Sequence, residues 1–147
     1  MRCFEKISLK LDDDDVVLPK RSTSGSAGYD FFSPDDYEIP ANGDVLIKTG
    51  IKAKMMSDEC LFIYPRSSIG IKHNIMLQNT VGVVDSDYYN NKDNEGEIMV
   101  SLRNLSNQNF LLKKGERFCQ GIFQKVLLTN DDTSKGEREG GIGSTGN

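Results

Sequence analysis

Tryptophan is absent from this chain, histidine occurs once, at His73, and cysteine three times, at Cys3, Cys60 and Cys119. Each scarcity removes a class of chemistry. A single histidine leaves no material for a His-based zinc site or a Ser-His relay, so His73 reads as structural. An odd number of cysteines without CxxC spacing argues against a disulfide framework and for a reducing, cytoplasmic setting. Cys119 falls in a strand-like segment and reads as a small buried residue. Positive charge is not in excess either: 18 Lys and Arg stand against 22 Asp and Glu, a net charge of −4. That excludes a general nucleic-acid or membrane-surface binder, while leaving room for a local basic pocket that takes a small anion. No apolar run approaches membrane-spanning length, and MRCFEKISLKL has no apolar leader region.

What remains is a chain of 147 residues, 37% hydrophobic, sized for one domain with a lean core. Its apolar residues come in short runs broken by turn residues, and no window carries a helical stripe. Strands are expected at Arg2 to Leu9, Gly50 to Met55, Cys60 to Pro65 and Arg117 to Leu128. Tyr37 to Pro40 and Val45 to Thr49 flank an Ala-Asn-Gly turn of the hairpin kind. Ile75 to Val84 reads as one apolar strand, with EIMVSLRNL (97–105) as its return partner. One short helix is expected around Ser67 to Lys72. Such a succession predicts an all-β sandwich or barrel. From Thr129 the chain turns polar and Gly/Ser-rich, which divides it into a β domain over 1–128 and a flexible arm over 129–147.

Three stretches have the residue types that chemistry needs. In GVVDSDYYNN (82–91) a valine-rich strand ends in Asp85, where a carboxylate is held rigid and partly dry and is able to orient and deprotonate a water. Tyr88, three residues on, offers a flat face to a sugar or base. A calcium loop fails on spacing, because Tyr89 and Asn90 fall where an oxygen ligand and Gly are required. An Asp-rich turn is the plain alternative. In Pro65-Arg66-Ser67-Ser68-Ile69-Gly70 an Arg and two hydroxyls open a helical turn and converge on an anion; a Ser N-cap with a solvent-facing Arg is the plain alternative. In Gly140-Gly141-Ile142-Gly143-Ser144-Thr145-Gly146, successive N–H groups can form an anion cradle with Arg138 nearby, although no GxxxxGK[ST] phosphate loop occurs. The run Asp12 to Asp15 reads as a solvated loop.

Five segments resemble, in order and spacing, the motifs of the homotrimeric dUTPase family. They are AGYDFFSP (27–34), PRSSIGIKHNI (65–75), NTVGVVDSDY (79–88) with GEI (96–98), GERFCQGIF (115–123) and REGGIGSTG (138–146). The resemblance implies a jelly-roll-like distorted β-barrel assembled as a trimer, with the mobile C-terminal arm closing over a neighbour's pocket. It implies hydrolysis of dUTP to dUMP and pyrophosphate with Mg²⁺ on the triphosphate, limiting uracil in DNA and supplying dUMP for thymidylate synthesis. Asp85 would be the general base for water attack on the α-phosphorus, and Tyr88 would stack beneath the deoxyribose and exclude a 2′-hydroxyl. Val83, Val84 and Met99 would read uracil through their backbone, assisted by Asn79. Arg66, Ser67, Ser68 and Gln120 would hold phosphates. Arg138, Ile142, Gly143 and Ser144 would come from the arm. Asp30 would act on the metal through water, with no direct protein ligand.

Three departures from the family pattern stand out. The usual DY-x-GE junction is stretched to DYYNNKDNEGEI, adding the polar loop Asn90 to Glu95. A neutral insertion is the economical reading, and gating or docking of a protein partner the alternative. Ile142 stands where the arm usually carries Phe, forgoing an aromatic contact of about 0.5–1.5 kcal/mol; Tyr89 is a candidate to supply an aromatic in its place. Arg138 lies one residue nearer the glycine pair than usual. The dCTP deaminase branch shares the barrel and trimer and is the nearest rival, but Asp followed three residues later by Tyr favours the dUTPase branch. An interaction protein that retains the pocket is the rival from another class.

Overall fold

The structure is a computed structural model that describes residues 1–143; Ser144, Thr145 and Gly146 of the C-terminal motif lie outside the described residues. The described residues form eleven strands and one short α-helix. The strands are β1 (Cys3–Lys6), β2 (Tyr29–Phe32), β3 (Tyr37–Ile39), β4 (Asp44–Lys48), β5 (Ile51–Lys54), β6 (Glu59–Pro65), β7 (Ile75–Leu77), β8 (Gly82–Asp85), β9 (Met99–Asn104), β10 (Phe110–Leu112) and β11 (Arg117–Lys125). The helix, α1, spans Ser67–His73 and ends at Asn74 in the left-handed conformation. All strand pairings are antiparallel, in sheets ordered β1-β5, β10-β3, β2-β11-β6-β8 and β4-β9-β7. Among the described residues these sheets wrap one core in a jelly-roll-like manner without closing into a continuous barrel, and no helix is long and apolar enough to cross a membrane.

Period-two patterning builds the core. In β9 Val100, Leu102 and Asn104 point inward and alternate with half-buried residues. Phe31, Ile39, Ile47, Leu61, Leu102 and Phe118 have almost no exposed surface. Asn104 is fully buried and tolerated because its amide is spent: Nδ2 donates to the carbonyls of Ile39 and Gln108, while Oδ1 accepts from the Ser106 N–H and hydroxyl. Glu59, also buried, accepts the Arg2 Nε–H, which is shared between its two carboxylate oxygens at 2.8 Å from each.

Two expectations about pairing need correction. Ile75 to Val84 is not one strand: Thr80, at φ 66°, turns the chain between β7 and β8, which join different sheets. The expected hairpin between β8 and the return strand does not form. Among the described residues β8 pairs only with β6, at the edge of the four-stranded sheet, whereas β9 lies between β4 and β7. The turn at Asn42, at φ 56°, is present, but β3 and β4 also go to separate sheets. In each case the turn residues are legible and the destination is not. A turn closes a hairpin or transfers the chain between sheets by the same local geometry, and burial of the next strand decides which.

Candidate active site

Because β8 and β9 splay apart, a cleft of about 260 Å³ opens between them. This is the scale of a nucleoside rather than of a whole nucleoside triphosphate. Asn79, from the turn after β7, borders it with Val83, Val84 and Asp85 of β8. Ile98, Met99 and Tyr88 line the facing side, and Arg138, Ile142 and Gly143 cover it from the C-terminal segment. Gly82 opens β8 at a point of close approach, where a Cβ would come within 3.0 Å of Ile63 Cβ. Among the described residues one edge of β8 has no strand partner beside the cleft, which leaves main-chain donors and acceptors available to a planar base.

Asp85 ends β8 on its outward face and leads into a short 3₁₀ turn, Ser86–Tyr88. The expected partly dry carboxylate is corrected: its side chain is 53% exposed, because it stands on the solvent face of an edge strand. It is held by charge instead. Arg138 donates through a terminal nitrogen to Asp85 Oδ2 at 2.5 Å and through Nε to Asp87 Oδ1 at 2.8 Å, and its own side chain is only 8% exposed. The guanidinium carbon sits 5.6 Å from the centre of the Tyr88 ring. Tyr88 is buried, and its hydroxyl donates to the Glu97 carbonyl at 2.9 Å and accepts from Asn94 Nδ2 at 2.8 Å.

Tyr89 does not replace the missing lid aromatic. It turns away from the cleft and donates to Glu5 Oε2 at 2.7 Å, with Lys52 over its ring at 5.2 Å. This bond holds the Glu5 carboxyl below its ordinary range and, from the same contact, pushes the Tyr89 phenol up.

A second group of predicted residues lies elsewhere on the chain. Arg66 is the residue capping α1, and neither it nor a serine makes a side-chain cap bond, so the plain Ser-cap alternative does not hold. Ser67 and Ser68 open the helix. Gln120 in β11 is in register with Asp30 of β2, and Gly28 leaves room for its amide, since a Cβ there would overlap Gln120 Oε1. Asp30 Oδ2 accepts from the Ser22 hydroxyl at 2.7 Å and from Arg117 at 3.3 Å, and Oδ1 lies 3.7 Å from Arg66 Nε. Cys119 between them is fully buried, and burial drives its thiol well above the usual range.

The two groups sit at opposite ends of β6. Asp85 is in register with Cys60, near the start of the strand, and Arg66 follows its last residue. Six residues of extended chain separate their backbones by roughly 20 Å. Sequence reasoning missed Asp87, Asp93, Asn94 and Arg117. An Asn- and Asp-rich loop signals turns, and only its folded partners show which turn residues serve the cleft.

A family model of dUTPases matches residues 14–146. The chain belongs to the dUTPase family. It is 43% identical to a deoxyuridine 5'-triphosphate nucleotidohydrolase of Lactococcus lactis, over 99% of this chain and 98% of that one. It is 36% identical to the enzyme of that name from Wolinella succinogenes, over 96% of this chain and 94% of the other. Among solved structures, the dUTPase of Streptococcus mutans superposes with a TM-score of 0.77 at 43% identity, over 86% of this chain and 98% of that one. The dUTPase from phage phi11 of Staphylococcus aureus gives 0.74 at 14% identity, over 92% and 97%, and shows the shared fold alone. These matches do not favour the deaminase branch.

Proposed function

We propose that the chain hydrolyses dUTP to dUMP and pyrophosphate, with uracil in the β8–β9 cleft, deoxyribose on Tyr88, and Asp85 taking the proton of the attacking water. The observation that supports it most is the position of Asp85: a carboxylate at the mouth of a nucleoside-sized cleft, beside a buried tyrosine whose hydroxyl is fixed. Unpaired main-chain groups of β8 and the start of β9 read the uracil edge, and a cytosine presents the opposite donor and acceptor and is rejected. The fixed Tyr88 ring leaves no room for a 2′-hydroxyl. Asp85 deprotonates a water in line with the α-phosphorus, and pyrophosphate leaves. For Asp85 to take that proton, Arg138 must first release it.

The roughly 20 Å of backbone between the level of Asp85 and Arg66, with Ser67 and Ser68 beyond it, supports a site shared between chains. Gln120, in register with Tyr64, lies toward the Arg66 end. One protomer supplies the cleft and base and another the phosphate contacts, as a trimer with three such sites allows. The residues fit Mg²⁺ that travels with substrate. Asp30 already accepts from Ser22 and Arg117, so it would meet the ion through water rather than ligate it directly. When bound, the ion neutralises charge developing on the leaving pyrophosphate. The segment 129–147 acts as the arm that completes the site, and the location is cytoplasmic.

The test is pyrophosphate release from dUTP, dCTP, dTTP and UTP, each with Mg²⁺ and with EDTA. Release from dUTP alone, abolished by EDTA, is expected. Ammonia from dCTP would place the chain with the deaminases, and silence on all four would sink the enzymatic reading.

A further inference from the structure

The loop between Tyr88 and Glu97 is longer than a connection from the 3₁₀ turn to β9 requires, and the structure gives its extra residues definite partners. Asn91 is buried and organises the loop from within. Its Nδ2 donates to the Tyr88 carbonyl and to Asn94 Oδ1, both at 2.8 Å, and its Oδ1 accepts from the N–H groups of Asp93 and Asn94. Asn94 returns Nδ2 to the Tyr88 hydroxyl, and its Oδ1 accepts from Gly96 N–H at 3.0 Å. Gly96 is obligatory here, at φ 82° and where a Cβ would fall 2.6 Å from the Tyr88 carbonyl oxygen. On the outer side Lys52 donates to Asn90 Oδ1 at 2.8 Å, and Glu95 accepts from Ser8 N–H at 2.9 Å. The loop is therefore tied to the sugar platform on one side and to the body of the sheets on the other.

What this rigid loop presents is Asp93. Its Oδ2 accepts from Gly141 N–H at 2.8 Å, and the same carboxylate fills the space beside the Gly140 Cα, where any Cβ would overlap it. Gly140 and Gly141 are both buried, and with Arg138 they are the points at which the C-terminal segment, exposed from 124 to 137, returns to the protein. Gly140 has no positive φ, so close approach rather than backbone conformation calls for glycine there.

We infer that the Asn90–Glu95 insertion is the docking platform of the C-terminal arm, and that Asp93 is the positioning residue that seats the Gly140-Gly141 pair over the cleft. Resting on the dUTPase reading above, this adds a residue that neither touches substrate nor takes part in the chemistry. The loop couples arm and sugar platform, because the side chain of Asn94 that fixes Tyr88 belongs to the same network that aims Asp93.

The test pairs three variants with two readouts. Asp93→Ala should lower kcat/KM for dUTP about tenfold, the scale of one lost charge-assisted hydrogen bond. It should also speed tryptic cleavage at Lys135 and Arg138 in the presence of a non-hydrolysable dUTP analogue, with thermal unfolding unchanged. Asp93→Asn keeps an oxygen acceptor in place and should recover most of both. Gly140→Ala should match Asp93→Ala, yet add nothing to it in the double variant, because the carboxylate it would strike is gone. Wild-type protection in Asp93→Ala, or a Gly140→Ala loss that adds independently, would overturn the proposal. If Asp93→Ala does not fold, Gly140→Ala alone decides through arm protection. If the wild type releases no pyrophosphate from dUTP, the catalytic reading fails, and the protease readout with the same analogue still decides the docking.

Discussion

Asp85→Asn keeps the shape of the side chain and removes its basicity. The expected outcome is a fall in kcat of about 10²- to 10⁴-fold with nucleotide affinity nearly intact, checked by turnover and by titration with a non-hydrolysable analogue. Near-normal turnover would remove Asp85 from the role of base. Away from the cleft, the Glu5–Tyr89 bond makes a separate prediction. Glu5 is held below the ordinary carboxylate range, so its stabilisation is complete above that range and is lost as pH falls through the lowered value. The raised Tyr89 phenol gives the opposite limit: its share is present below the usual tyrosine range and lost as pH rises through the raised value. Tyr89→Phe should therefore cost about 1 kcal/mol at neutral pH for this half-exposed pair, and less in acid, as denaturant titrations at pH 7 and pH 3 would show. Asp85 and Tyr88 were legible in the sequence because a carboxylate and a ring follow an apolar run that needs neither. Asp93 and Asn94 were not. Their side chains read as ordinary turn formers until the fold brings Tyr88 and Gly141 to them.

Among the elements, short strands and turns were readable from period-two runs and Gly or Asn breaks, and α1 from the residues after Pro65. The sheet in which each strand would lie was not readable. The stretch through Leu77, Thr80 and Val84 is apolar at both ends whether or not it bends, and the left-handed residue at Thr80 is one for which sequence has no marker. That hidden bend separates β7 from β8 and so opens the cleft. Deleting the segment from Gly140 onward should abolish most activity and leave the melting temperature within a few degrees, because its removal exposes little core. A large drop in melting temperature would mean that the arm is part of the folded body. Phe118→Ala should do the reverse, costing about 3–5 kcal/mol by chemical denaturation, since the ring is fully buried in β11.

For the molecule as a whole, the five motifs named the family, but composition and spacing had no means of showing that one chain holds the residues proposed for the cleft and for the phosphates at two ends of β6. The separation predicts complementation. Asp85→Asn and Arg66→Ala chains, each inactive alone, should regain activity when unfolded and reassembled together. About one quarter of sites then pair an intact base with an intact phosphate group, if the two chain types mix at random. No recovery would show that each chain completes its own site. The exposed run from 127 to 137 also sets the kinetics of closure. Stretched out, eleven residues reach about 35–40 Å, so the arm samples every cleft within that radius at an effective concentration of about millimolar, independent of how dilute the enzyme is. Closure is then a first-order event. A free peptide of the same sequence, added to the truncated enzyme, should restore turnover only as it approaches millimolar amounts.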